Sequence, residues 1–162
     1  MCSSSTEVES ELGWELHYHT RTQGREQAIN LMKNGGSYCN APNLFPDVNF
    51  KDKAGTTPLW WACMYGDEQL AKMIVDAGAD INTTDEYGWS PASIAARYGH
   101  DNCLRLLLDA GADLSMAVSD GDTALDKAIF WEHADCERLL LANGAVTRKP
   151  DIVQGSDLAP RS

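Results

Sequence analysis

Gly55-Thr56-Thr57-Pro58-Leu59-Trp60-Trp61-Ala62 returns 33 residues later as Gly88-Trp89-Ser90-Pro91-Ala92-Ser93-Ile94-Ala95. It returns once more, loosened, as Gly121-Asp122-Thr123-Ala124-Leu125-Asp126-Lys127-Ala128. A second series, Gly78, Gly111 and Gly144, keeps the same interval. A constant period of this size marks a stacked array in which each unit buries its apolar face against the next. Such an array has a long concave face and no deep cleft, which directs the functional reading toward binding another macromolecule.

Each unit reads as two short helices. Thr57 and Ser90 stand where a side-chain oxygen caps free amides, and Pro58 and Pro91 follow in the first turn, where a missing N–H costs nothing. Gly66 and Gly99 end the first helix. Leu70, Ile74 and Val75, like Leu104, Leu107 and Leu108, give the second helix one apolar stripe. Asp52 and Asp85 open Asp-x-x-Gly turns into the next unit.

The Thr-Pro-Leu motif, the helix–turn–helix and the closing Gly78-Ala79-Asp80 and Gly111-Ala112-Asp113 resemble the ankyrin-repeat family across residues 52–145. A weaker unit precedes them. Gly13, Gly24 and Gly36 have the mutual offsets of Gly55, Gly66 and Gly78; Ala28, Ile29 and Met32 fall on the second-helix stripe; Asn40 or Asn49 stands for Asn82. The resemblance implies an all-α ankyrin-repeat solenoid of about four helix–turn–helix repeats, the first and last degenerate and acting as caps. The expected domain is 12–149 with a loop insertion at about 37–47, between a flexible acidic tail, 1–11, and a tail over 150–162. The histidine that the family usually carries after Pro-Leu is replaced by Trp60, Ser93 and Asp126, with Tyr18 in the first unit. The turn Asp becomes Val118, and Glu132 replaces the glycine of Gly66 and Gly99, which predicts a left-handed non-glycine residue there.

The 162 residues carry a net charge of -11, which repels phosphate backbones and excludes nucleic acid as the expected partner. No apolar run is long enough to span a bilayer, and the first residues lack a secretory pattern. Five cysteines, an odd number without paired spacing, point to a reducing compartment, cytoplasmic or nuclear.

There is no phosphate loop, no nucleophile elbow and no zinc motif, so the reading is a non-enzyme with no cofactor, metal or catalytic residue. His17 and His19 are expected to be solvated, His100 to pack locally, and His133 to lie in the altered turn. Cys63, Cys103 and Cys136 read as small buried hydrophobes, and Cys2 and Cys39 lie in irregular segments.

In ankyrin-like arrays the concave face is built from turn tips and inner-helix ends. Carried over by repeat position, the tips are Lys53, Ala54 and Thr56; Glu86, Tyr87 and Trp89; Ser119, Asp120 and Asp122. The helix ends are Met64 and Tyr65, Arg97 and Tyr98, and Phe130 and Trp131, with Trp14 and Gln23 as counterparts in the first unit. Aromatics, Met and Arg are enriched at interface cores, whereas only 8% of the chain is aromatic. The expected protein-binding set is Met64, Tyr65, Glu86, Tyr87, Trp89, Arg97, Tyr98, Asp120, Asp122, Phe130 and Trp131. Trp60 and Trp61 are expected to pack between units, and Phe130 suits either role. The Leu44-Phe45 loop covers the first unit's core or offers a second site. The acidic tips favour a partner segment with basic and apolar residues. The chain is then an adaptor, inhibitor or assembly chaperone, monomeric when free; the alternative is a permanent subunit of a large complex.

Overall fold

The caps that the motif predicts are formed, and they set the helix starts. Thr57 Oγ1 accepts from the Trp60 amide at 3.2 Å, and Ser90 with Ser93 and Thr123 with Asp126 form reciprocal capping boxes. This computed structural model describes residues 5–34 and 46–148, with side chains from residue 11 onward. Among the described residues the helices are α1 Ser5–Arg21, α2 Arg25–Asn34, α3 Pro58–Tyr65, α4 Glu68–Asp76, α5 Pro91–Tyr98, α6 Asp101–Asp109, α7 Ala124–Phe130 and α8 Ala134–Ala142. The one extended pairing among them is an isolated bridge between Ala117 and Thr123. Inner helices α1, α3, α5 and α7 pack in sequence, as do outer helices α2, α4, α6 and α8, so four helix pairs stack into an all-α solenoid. The core runs through the stack as Leu16, Leu59, Leu70, Ile74, Leu104, Leu107, Leu125 and Leu140, all buried.

Backbone and side chain tie each unit to the next. The Glu86 amide donates to Ala54 O, and the Ser119 amide to Tyr87 O, both at 2.9 Å, which links successive turn tips. Asn49 Oδ1 accepts from the Asp80 amide at 2.7 Å, as Asn82 Oδ1 does from Asp113 at 2.9 Å, so Asn49 fills the Asn82 role. Trp60 packs between units and donates its indole N–H to Trp89 O at 3.1 Å, a use open to a donor-only ring.

Histidines explain where glycine is needed. His100 Nε2 donates to Met64 O at 3.1 Å, and His133 Nε2 to Arg97 O at 3.0 Å, each reaching back one repeat instead of packing locally. Their rings lie on Gly66 and Gly99: a Cβ there would meet Nδ1 at 2.5 and 2.7 Å. Both glycines are also left-handed, at φ 70° and 74°. Glu132 takes the same conformation at φ 58°. No further repeat follows it among the described residues, so no ring covers it.

The first unit differs from the sequence-based expectation by one residue. Gln23, not Gly24, is left-handed at φ 58°. The Gly24 amide bonds to His19 O as Asp67 bonds to Ala62 O and His100 to Ala95 O, so Gln23 is the counterpart of Gly66. His17, not Tyr18, therefore stands in the place of Trp60. It is buried rather than solvated, with Nε2 3.0 Å from Thr56 Oγ1, which also accepts the Trp61 indole N–H at 2.9 Å. Burial lowers the His17 pKa below its usual value.

Residues 5–11 belong to α1 and are not a tail. Of the insertion expected at about 37–47, residues 37–45 lie outside the described residues, as do the Leu44-Phe45 loop, Cys2, Cys39 and the 150–162 tail. Cys63, Cys103 and Cys136 are free and buried. A hydrogen bond with Cys103, together with burial, pushes the Cys63 thiol up; burial pushes Cys136 up to about 11, so both stay protonated and unreactive.

Candidate functional site

With the first unit in register, the inner-helix ends form two columns along the stack. One is Arg21, Met64, Arg97 and Phe130; the other is Thr22, Tyr65, Tyr98 and Trp131. Arg21 and Thr22 thus replace the expected Trp14 and Gln23. Trp14 stacks on Tyr18 one helical turn earlier, with centroids 5.2 Å apart, and both rings are exposed.

The predicted residues divide by burial. Tyr98 is 42% exposed, Trp131 48%, Tyr87 59% and Phe130 66%, which for rings of this size is a large apolar area left in water. Glu86 and Asp120 are exposed, and Met64, Tyr65, Trp89 and Arg97 are half-buried. Met64 packs against the core, and Tyr65 stacks on Trp61. Asp122 is buried, so it is not an outward-facing tip charge.

Arg97 brings four of the predicted residues together. Its guanidinium carbon lies 4.9 Å from the Trp89 ring centroid, 5.5 Å from Tyr98 and 5.7 Å from Trp131. Lys127, absent from the predicted set, puts Nζ 5.1 Å from the Trp89 centroid. Lys127 also pairs with Asp120 at 2.5 Å and Asp122 at 3.0 Å. That pairing engages two of the three acidic tips with one positive charge and leaves Glu86 with no ion pair among the described residues. The expectation of a basic partner, built on all three, narrows to Glu86.

A cleft of about 330 Å³ opens between the first two repeats, against Thr20, Gln23, Arg25, Ala62, Tyr65 and Leu70. Its origin is one substitution. Asp67 stands where the next two repeats have His100 and His133. The short carboxylate turns to Arg25 Nε at 2.7 Å and leaves the ring's volume empty. The Arg21 carbonyl, counterpart of Met64 O and Arg97 O, accepts instead from the Tyr65 hydroxyl at 2.8 Å. The signal was present in the sequence: His100 and His133 keep the 33-residue period, and position 67 breaks it.

Among the described residues no cluster of three or more His, Cys, Asp or Glu has metal-binding geometry, and no helix is long and apolar enough to cross a membrane. A family model described as ankyrin repeats in three copies matches residues 16–118 and again 86–151. The chain belongs to the ankyrin-repeat family, whose domains are generally protein–protein interaction modules.

Proposed function

We propose that this chain is a non-catalytic module that binds another protein along its concave face, as an adaptor, inhibitor or assembly chaperone. The observation that carries the reading is the row Tyr65, Tyr98 and Trp131, three aromatics in one column on successive inner helices, two of them over two-fifths exposed. Large exposed apolar patches mark interaction sites, and aromatic anchors supply most of the energy at such interfaces. Met64, Trp89 and Phe130 flank the row, and Tyr87 and Glu86 stand on the adjoining turn tip. The cleft beside Tyr65 takes an apolar side chain of the bound segment, and Glu86 faces a basic residue. The odd number of cysteines, of which Cys63, Cys103 and Cys136 are free, supports a cytoplasmic or nuclear place in this reading.

The test is affinity set against stability for a ligand taken from a displayed random-peptide library. Tyr98→Ala and Trp131→Ala should each cost about 2 kcal/mol or more of binding while leaving the denaturation midpoint nearly unchanged. Leu107→Ala, which empties a fully buried site, should cost about 2–5 kcal/mol of stability. If the two aromatic variants unfold as readily as Leu107→Ala, the row is core and the reading fails.

A further inference from the structure

Arg21 and Arg97 occupy the same column two repeats apart, yet only one has a counterion. Arg21 Nη1 lies 3.8 Å from Asp52 Oδ2, the carboxylate that opens the following repeat's turn. The position corresponding to Asp52 ahead of the fourth repeat is Val118, a buried residue. The column therefore keeps the second arginine and drops its acid. No carboxylate of a described residue lies within ion-pairing distance of Arg97 in a protein of net charge -11. The guanidinium carbon stands among the Trp89, Tyr98 and Trp131 rings, and no described residue accepts a hydrogen bond from its N–H donors. A guanidinium held among rings is restrained, and its fork of N–H donors matches a carboxylate in two parallel hydrogen bonds.

On this basis, and resting on the concave-face reading above, we infer that Arg97 receives a carboxylate from the bound segment, an Asp or Glu side chain or a C-terminus, next to an apolar residue seated on Tyr98 and Trp131. The surrounding negative charge favours a monoanion over a phosphate dianion. The acid that the repeat lost at position 118 is thus supplied by the partner. The bound segment is mixed in charge: acidic at its centre against Arg97, and basic where it passes Glu86.

The experiment is selection of random peptides on the full-length chain, followed by a double-mutant cycle on the tightest binder. Selected peptides should share an acidic residue, or a free C-terminus, at a fixed distance from an apolar one. Replacing that peptide Glu by Gln should weaken binding about tenfold or more, and Arg97→Gln should do the same. The two changes together should cost little more than either alone. Arg97→Lys, which keeps the charge but not the fork, should fall between. Val118→Asp, which restores the internal acid, should also weaken the acidic peptide and spare its Gln form. If peptides bind and depend on Tyr98 and Trp131, but the Glu→Gln peptide binds within twofold, the carboxylate assignment is wrong and the concave-face reading stands. Arg97→Gln weakening both peptide forms equally also overturns the assignment, because the arginine would then only support the rings. If no peptide is enriched, or binding ignores Tyr98 and Trp131, both fall.

Discussion

Gly99→Ala tests how the repeats are joined, and the structure sets its cost. At φ 74° an alanine pays the left-handed penalty, about 1–2 kcal/mol. The new methyl would also stand 2.7 Å from His133 Nδ1 and 2.8 Å from Cε1, far inside contact distance. The ring must move, and its hydrogen bond to Arg97 O is lost, worth about 1 kcal/mol more. The total is about 2–3 kcal/mol. The two parts separate in a double-mutant cycle with His133→Ala, since without the ring only the backbone penalty of about 1–2 kcal/mol remains. Urea denaturation followed by far-UV circular dichroism of the four proteins measures each step. A Gly99→Ala cost that is the same with and without His133 would refute the idea that the ring dictates the glycine.

Glu132→Gly should raise the denaturation midpoint modestly, because relief of left-handed strain at φ 58° outweighs the entropy that glycine adds to the unfolded chain; a lower midpoint counts against it. His17, whose pKa burial lowers, binds fewer protons folded than unfolded. Its contribution to stability is therefore full above about pH 6.5 and is lost as pH falls below that value. His17→Gln should flatten this part of the midpoint-versus-pH curve between about pH 7 and 5, and an unchanged slope refutes the assignment. Asp67→His combined with Gln23→Gly, so that the restored ring meets no Cβ, should close the first cleft and lower the affinity of a selected peptide; unaltered affinity means that the cleft holds no anchor.

The architecture was legible because it is written redundantly. The 33-residue period, the caps at Thr57, Ser90 and Thr123, and the glycines at helix ends state one answer several times. The first unit was misread by one residue because Gly24 imitates the turn glycine, while the residue in the turn is Gln23. Glutamine is tolerated there because Asp67, unlike His100, places no ring over it. The same substitution makes the cleft, so both features depend on a contact between repeats that no single repeat displays. The aromatic row was readable from repeat spacing, but its electrostatics were not. Lys127 folds back onto Asp120 and Asp122 across one turn and helix, and this pairing changes the expected charge of the face.

Hydroxyl-radical footprinting of the chain bound to the partner protein recovered from its native source tests the central claim most directly, because it reads side-chain exposure residue by residue. The account predicts that oxidation of Tyr65, Tyr98 and Trp131 falls on binding, while Leu141 and Val146, which are 52% and 69% exposed near the end of the stack, keep their rates. Protection of Leu141 and Val146 with Tyr98 and Trp131 unchanged would contradict it.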